Sequence, residues 1–151
     1  MSNRSKGNQL QITLRKAFEA ARFRVETARP DLRWIRKKGS KAVTPIALAH
    51  DLFGVFDLIA VPLSGCRFSA IRMVQVTTAE HAAARRAKVV GEISTWSQEI
   101  LTLVSPEIWA WHCGRRRKKK SGEGDILAQC WTIEDPDGNR IENYLEQAVL
   151  P

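Results

Sequence analysis

Asp57-Leu58-Ile59-Ala60-Val61 and, after a short turn, Met73-Val74-Gln75-Val76-Thr77 are two apolar runs that each carry polar side chains where a core would prefer none. Their β-branched content predicts two strands, Phe56–Val61 and Phe68–Thr77, joined through Pro62–Gly65. Side chains alternate along a strand, so Asp57 shares a face with Ile59 and Val61, and Gln75 and Thr77 share one with Ile71 and Met73. Antiparallel pairing brings the three polar groups together. Burying them is costly unless they are partnered, and a carboxylate beside an amide and a hydroxyl suits a hard cation such as magnesium.

Upstream, Leu10, Leu14, Ala17, Phe18 and Ala21 recur at helical spacing, with Arg15, Lys16, Glu19 and Arg22 around the other side. Phe23–Thr27 alternates like a strand before Pro30-Asp31, Arg33–Lys41 reads as a basic hairpin or loop, and Ile46–Leu52 is short and apolar. Downstream, the alanine-rich run 79–90 predicts a helix stopped by Gly91. Ile93, Trp96, Ile100 and Leu103 predict a second helix, ended by Ser105-Pro106. Ile108–Cys113 and Ile126–Ile133 read as strands joined by a mobile basic loop, 114–124, while residues 135–151 form a turn and a C-terminal tail. The expected class is α/β: one domain over 1–151, with a mixed central β-sheet flanked by helices.

The chain has 151 residues, is 44% hydrophobic and carries +8 formal charge, which favours a polyanionic partner. The charge is uneven. Twelve cations and three anions fall in residues 1–50, and six adjacent cations form Arg115-Arg116-Arg117-Lys118-Lys119-Lys120. Adjacent like charges repel and do not pack in a core, so such a run suits phosphate contact or a solvated loop. Arg33, Arg36, Lys37, Lys38 and Lys41 surround Trp34, the mixture of cations and an aromatic ring that nucleic-acid surfaces use. Cys66, Cys113 and Cys130 lack the spacing of a zinc site or a disulfide framework. No apolar run reaches membrane-span length. The expectation is therefore a cytoplasmic protein with no membrane partner.

With its helix, three strands, further helices and final strands, the chain resembles the PD-(D/E)xK nuclease superfamily, whose core runs αβββαβ. The likeness spans roughly residues 7–113, and the chain looks more specifically like uncharacterised phage and prophage members that share an Asp-Leu-Phe-Gly-x-x-Asp stretch and a Gln-Val-Thr strand, here Asp51–Asp57 and Gln75–Thr77. Holliday-junction resolvases are near relatives of that branch. The resemblance implies a restriction-endonuclease-like fold and magnesium- or manganese-dependent hydrolysis of DNA phosphodiesters. It matches Asp57 to the family's Asp, Gln75 to its (D/E) position and Thr77 to its Lys position, with Gln11 where the first helix often places a Glu. Two carboxylates of the pattern are thus amides, and its lysine is a threonine.

The lysine can be replaced from the following helix, with Lys88 the first candidate and Arg85, also a candidate DNA contact, the second; Asp51 restores a carboxylate if the chain bends at Gly54. The implied metal set is Asp57, Gln75, Asp51 and Gln11, the implied catalytic set Asp57, Gln75, Thr77 and Lys88. Thr77 also begins a Thr-Thr-Ala-Glu stretch of capping-box form. Three functions stay open: an endonuclease, a DNA-binding module that keeps the fold without catalysis, and a basic structural or RNA-associated phage protein. DNA held through its phosphates is the expected partner of the first two, and a homodimer is implied by the resolvase relatives alone.

Overall fold

The computed structural model describes residues 3–28, 31–36, 39, 43–48, 51–112 and 131–145. Helix α1 (Asn3–Ala20) buries Leu14, Ala17 and Phe18, the stripe that its periodicity predicts. It begins earlier than the apolar pattern does. It ends where Arg22 takes a left-handed φ of 65°, after which the chain enters β1 (Phe23–Thr27).

Strands β2 (Asp31–Arg36) and β3 (Val43–Leu48) pair antiparallel as a separate hairpin, Asp31 opposite Leu48. The main sheet continues with β4 (Leu58–Pro62) and β5 (Ile71–Thr78), then a 3-10 turn (Ala79–His81), α2 (Ala82–Ile93), α3 (Gln98–Leu103), β6 (Val104–Trp111), β7 (Trp131–Glu134) and β8 (Arg140–Ile141). Among the described residues it has six strands in the order β1-β4-β5-β6-β7-β8. β1, β4 and β5 are successively antiparallel, β6 runs parallel to β5, and β7 and β8 turn back antiparallel. A mixed sheet flanked by helices is thus the observed architecture.

Strand β5 has a core on each side, because its alternate residues face different layers. Val74 joins Phe18, Phe23, Leu58, Ala60, Trp109 and Ile133 in the larger cluster, with α1. Met73 joins Val55, Phe56, Ile108 and Val89 in the smaller one, with α2. Gln75 follows the Met73 parity, so an amide lies in the layer under α2.

Several boundaries depart from the sequence reading. Gly91 does not stop α2, which runs on to Ile93; a helical glycine costs only about 1 kcal/mol, and continuing brings Ile93 onto the same small core as Val89. The second helix is the short α3 alone, with Trp96 in the turn before it. Pro106, expected to end a helix, stands inside β6. Its missing N–H is tolerated because β7 pairs with β6 only from Ile108 onward, leaving that flank of Pro106 without a neighbouring strand among the described residues. The returning strand starts at Ile71 rather than Phe68, and Arg140–Ile141 adds a strand where a helix or tail was expected. The loop 114–124 lies outside the described residues.

On the α1 side, Glu107 is fully buried at the centre of a polar network. Its Oε1 accepts from Arg72 at 2.8 Å and Ser105 at 3.2 Å, and its Oε2 accepts from Trp109 at 2.8 Å and the Tyr144 hydroxyl at 2.7 Å. The Arg72 guanidinium lies 4.6 Å from the Tyr144 ring centroid. Burial and the Glu107 charge push the Tyr144 phenol far up, so it remains a donor.

Candidate functional site

The β4–β5 ladder stops at Leu58 opposite Val74, and Asp57 occupies the bend just before it. Its main chain is held from both sides: its N–H donates to the Val74 carbonyl at 2.9 Å, and its carbonyl accepts from Ala28 at 2.8 Å. With β4 ended, the N–H of Val76 takes the Asp57 side chain as its partner, donating to Oδ2 at 2.7 Å. The carboxylate thus stands in for the strand that is no longer there.

Two amides complete its surroundings. Gln11 Nε2, from α1, donates to Oδ1 at 2.6 Å, and Gln75 Nε2, from β5, donates to Oδ2. Gln75 Nε2 also donates to the Val76 carbonyl at 3.0 Å, which fixes the orientation of the amide, since exchanging its ends would face oxygen against two oxygens. Its own oxygen, Oε1, is buried with no hydrogen-bond donor among the described residues. An unpartnered buried acceptor beside a carboxylate is unusual.

Burial pushes the Asp57 carboxyl up from 3.8 to about 6, and the like charge of Asp51 adds to this. The Val76 N–H, the Arg85 charge and the Gln11 amide all act in the opposite direction. Asp51 reaches this neighbourhood through a reversal at Leu52–Phe56, closed by Leu52 N–H to the Phe56 carbonyl at 2.7 Å and Phe56 N–H to the Leu52 carbonyl at 2.9 Å. Gly54, with a φ of 75°, makes the reversal possible. On α2, Lys88 pairs with Asp51 at 3.5 Å, while Arg85 is the cation whose field reaches Asp57.

The structure therefore gathers Gln11, Asp57 and Gln75 in direct contact and sets Asp51, Arg85 and Lys88 around them. Thr77 is buried in the same layer but donates to the Thr78 carbonyl at a long 3.4 Å, without a hydrogen bond to Asp57. The capping box does not form. β5 extends through Thr78, so Thr77 is still paired in the sheet opposite Ala110, and Thr78 at the helix entry makes no side-chain cap. Arg33 and Arg36 lie on β2, Arg36 exposed, whereas Lys37, Lys38, Lys41 and Arg115–Lys120 lie outside the described residues.

No three His, Cys, Asp or Glu side chains converge as a metal set among the described residues. The set at hand is two carboxylates, Asp57 and Asp51, with one free amide oxygen on Gln75. All three are hard oxygen donors of the kind magnesium and manganese accept. The orphaned Gln75 oxygen and the raised carboxyl of Asp57 are both features that a bound cation would relieve, so these residues fit such a group. Sequence reasoning missed the Val76 N–H and the Phe53 ring at the tip of the reversal; only the Leu-Phe-Gly stretch hinted at the latter. Comparison with family models, with curated proteins and with solved structures returns no match.

Proposed function

We propose that this chain is a metal-dependent DNA endonuclease of PD-(D/E)xK type. The observation that carries the reading is the convergence of Gln11 from α1, Asp57 from the bend before β4 and Gln75 from β5, flanked by Arg85 and Lys88 of α2. Omitting the β2–β3 hairpin, the order α1-β1-β4-β5-α2-β6 follows the αβββαβ core of that superfamily, which supports the restriction-endonuclease-like form of the fold.

Magnesium or manganese, when bound, would activate water and offset the negative charge that builds on a phosphodiester under attack. Asp57, Asp51 and the Gln75 carbonyl would hold it, with Gln11 keeping Asp57 in place. Lys88 and Arg85 offset negative charge on the phosphate and help to orient it. The basic residues of the β2–β3 region and of 115–120 attach the DNA through its backbone, a contact that weakens with salt and reads no bases.

A second reading keeps the DNA and removes the chemistry. What favours it is that both oxygens of Asp57 already accept N–H donors, two of them from amides where the family pattern has carboxylates. One experiment separates the two. Branched, duplex and single-stranded DNA are incubated in magnesium or manganese with the wild type and with Asp57→Ala. Cleavage that falls by about a hundredfold or more in the variant is the expected result. DNA binding without Asp57-dependent cleavage of any substrate would overturn the enzyme and leave the binding module.

A further inference from the structure

We infer that the Phe53 ring is a stacking platform for an unpaired nucleobase of the nucleic acid held at the Asp57 cluster; the inference rests on the DNA-binding part of the reading above. An exposed apolar side chain alone means little. Phe53 differs from an ordinary one in three respects.

First, it is 62% exposed at the tip of the Leu52–Phe56 reversal and has a φ of 53°, a conformation that a bulky residue rarely adopts. Glycine or asparagine would sit there with less strain. Second, the ring is braced. Trp96 meets it edge-on at 5.8 Å and 69°, and Trp96 in turn rests on the fully buried Phe56 at 5.9 Å and donates its indole N–H to Glu92 at 3.3 Å. A ring held from one side and open to solvent loses little freedom when a flat partner lands on it.

Third, the reversal lies between Asp51 and Asp57, and Asp51 is paired with Lys88. An aromatic face next to a held phosphate backbone is the combination by which proteins grip single-stranded nucleic acid, and the cations of this cluster are Lys88, which reaches Asp51, and Arg85, whose field reaches Asp57. Bases inside a continuous duplex are already stacked and present no free face. The platform therefore selects DNA with unpaired nucleotides near the bound phosphate, as at a flap, gap or branch.

The test measures binding of the full-length chain by fluorescence anisotropy without divalent metal, so that cleavage plays no part. The probes are a single-stranded oligonucleotide, a duplex bearing an unpaired 2-aminopurine, and the same duplex fully paired. Phe53→Ala is expected to weaken binding to the first two by about 5- to 100-fold and to the paired duplex by less than about twofold. Phe53→Trp restores binding and the quenching of 2-aminopurine, whereas Phe53→Leu, apolar but without a π face, does not. Equal losses on all probes, no loss on any, or a leucine variant as good as the wild type would overturn the inference. So would a shift of Phe53→Ala from dimer to monomer in sedimentation, which would assign the ring to a second copy of the chain. Wild-type protein that binds none of the probes sinks the nucleic-acid reading itself; binding that ignores Phe53 sinks the platform alone.

Discussion

Asp57→Asn is expected to make the protein more stable at neutral and alkaline pH while removing its response to divalent cations. Burial raises the Asp57 carboxyl from 3.8 to about 6, so the folded state holds this proton more tightly than the unfolded state does. An ionised Asp57 therefore opposes folding. The penalty is absent below about pH 4, grows as pH rises, and is complete above about pH 6, where a shift of roughly two units corresponds to ~3 kcal/mol.

Asparagine avoids the penalty and keeps the shape. Its oxygen accepts from Val76 and Gln75, and its amide faces Gln11, whose half-buried side chain can turn its carbonyl inward. The expected gain is ~1–3 kcal/mol above about pH 7, vanishing near pH 4, or roughly 2–4 °C in Tm for each kcal/mol in a domain of this size. Magnesium or manganese should raise the Tm of the wild type and leave the variant unmoved. Thermal melts across pH check both; a variant less stable than the wild type in alkaline buffer would contradict the account. A variant that proves more stable would mark the Asp57 carboxylate as serving something other than stability.

Glu107→Ala is expected to be the most damaging single change outside the site. It removes the acceptor shared by Arg72, Ser105, Trp109 and Tyr144 and leaves the Arg72 charge, only 16% exposed, without its counter-ion. Removing one partner from a buried ion pair costs ~3–5 kcal/mol, here a fall of roughly 10 °C in Tm. The network ties β5 and β6 to the segment that carries Tyr144, so the loss should also loosen residues 142–145. Denaturant unfolding measures the first effect and hydrogen exchange the second. A cost below about 1 kcal/mol would show that the network adds little to stability.

The fold was legible where one side-chain period ruled a whole segment. Leu14, Ala17 and Phe18 announced α1, and the alternation in Phe23–Thr27 announced β1. It was least legible where two layers compete for one strand. Ile59 and Met73 are apolar on the face opposite Leu58 and Val74, so β4 and β5 show no simple inside-and-outside pattern. Local breakers misled when tertiary structure outweighed them, as at Gly91 within α2 and Pro106 within β6.

Within the site, the pairing of β4 with β5 was foreseeable, and with it the meeting of Asp57 and Gln75. The direction of that contact was not. An amide presents either oxygen or N–H to a neighbour, and only the Val76 carbonyl, a backbone group invisible to motif matching, turns the nitrogen of Gln75 toward Asp57. Nor was it foreseeable that the Asp57 side chain, at the bend before Leu58, replaces a missing ladder bond. Glu107 was missed altogether: a lone acid between Pro106 and Ile108 gives no sign of four partners drawn from β5, β6 and the C-terminal turn.

The central claim is that the Asp57 cluster holds a divalent cation, and the titration of the Asp57 carboxyl carbon by NMR, with and without magnesium, tests it most directly. Without the metal the carboxyl should titrate at about 6. With it the transition should move well below that, because a bound cation favours the ionised form, and the Gln75 side-chain amide should shift in the same titration. A carboxyl whose transition is the same in both conditions, with the Gln75 amide unmoved, would contradict the claim.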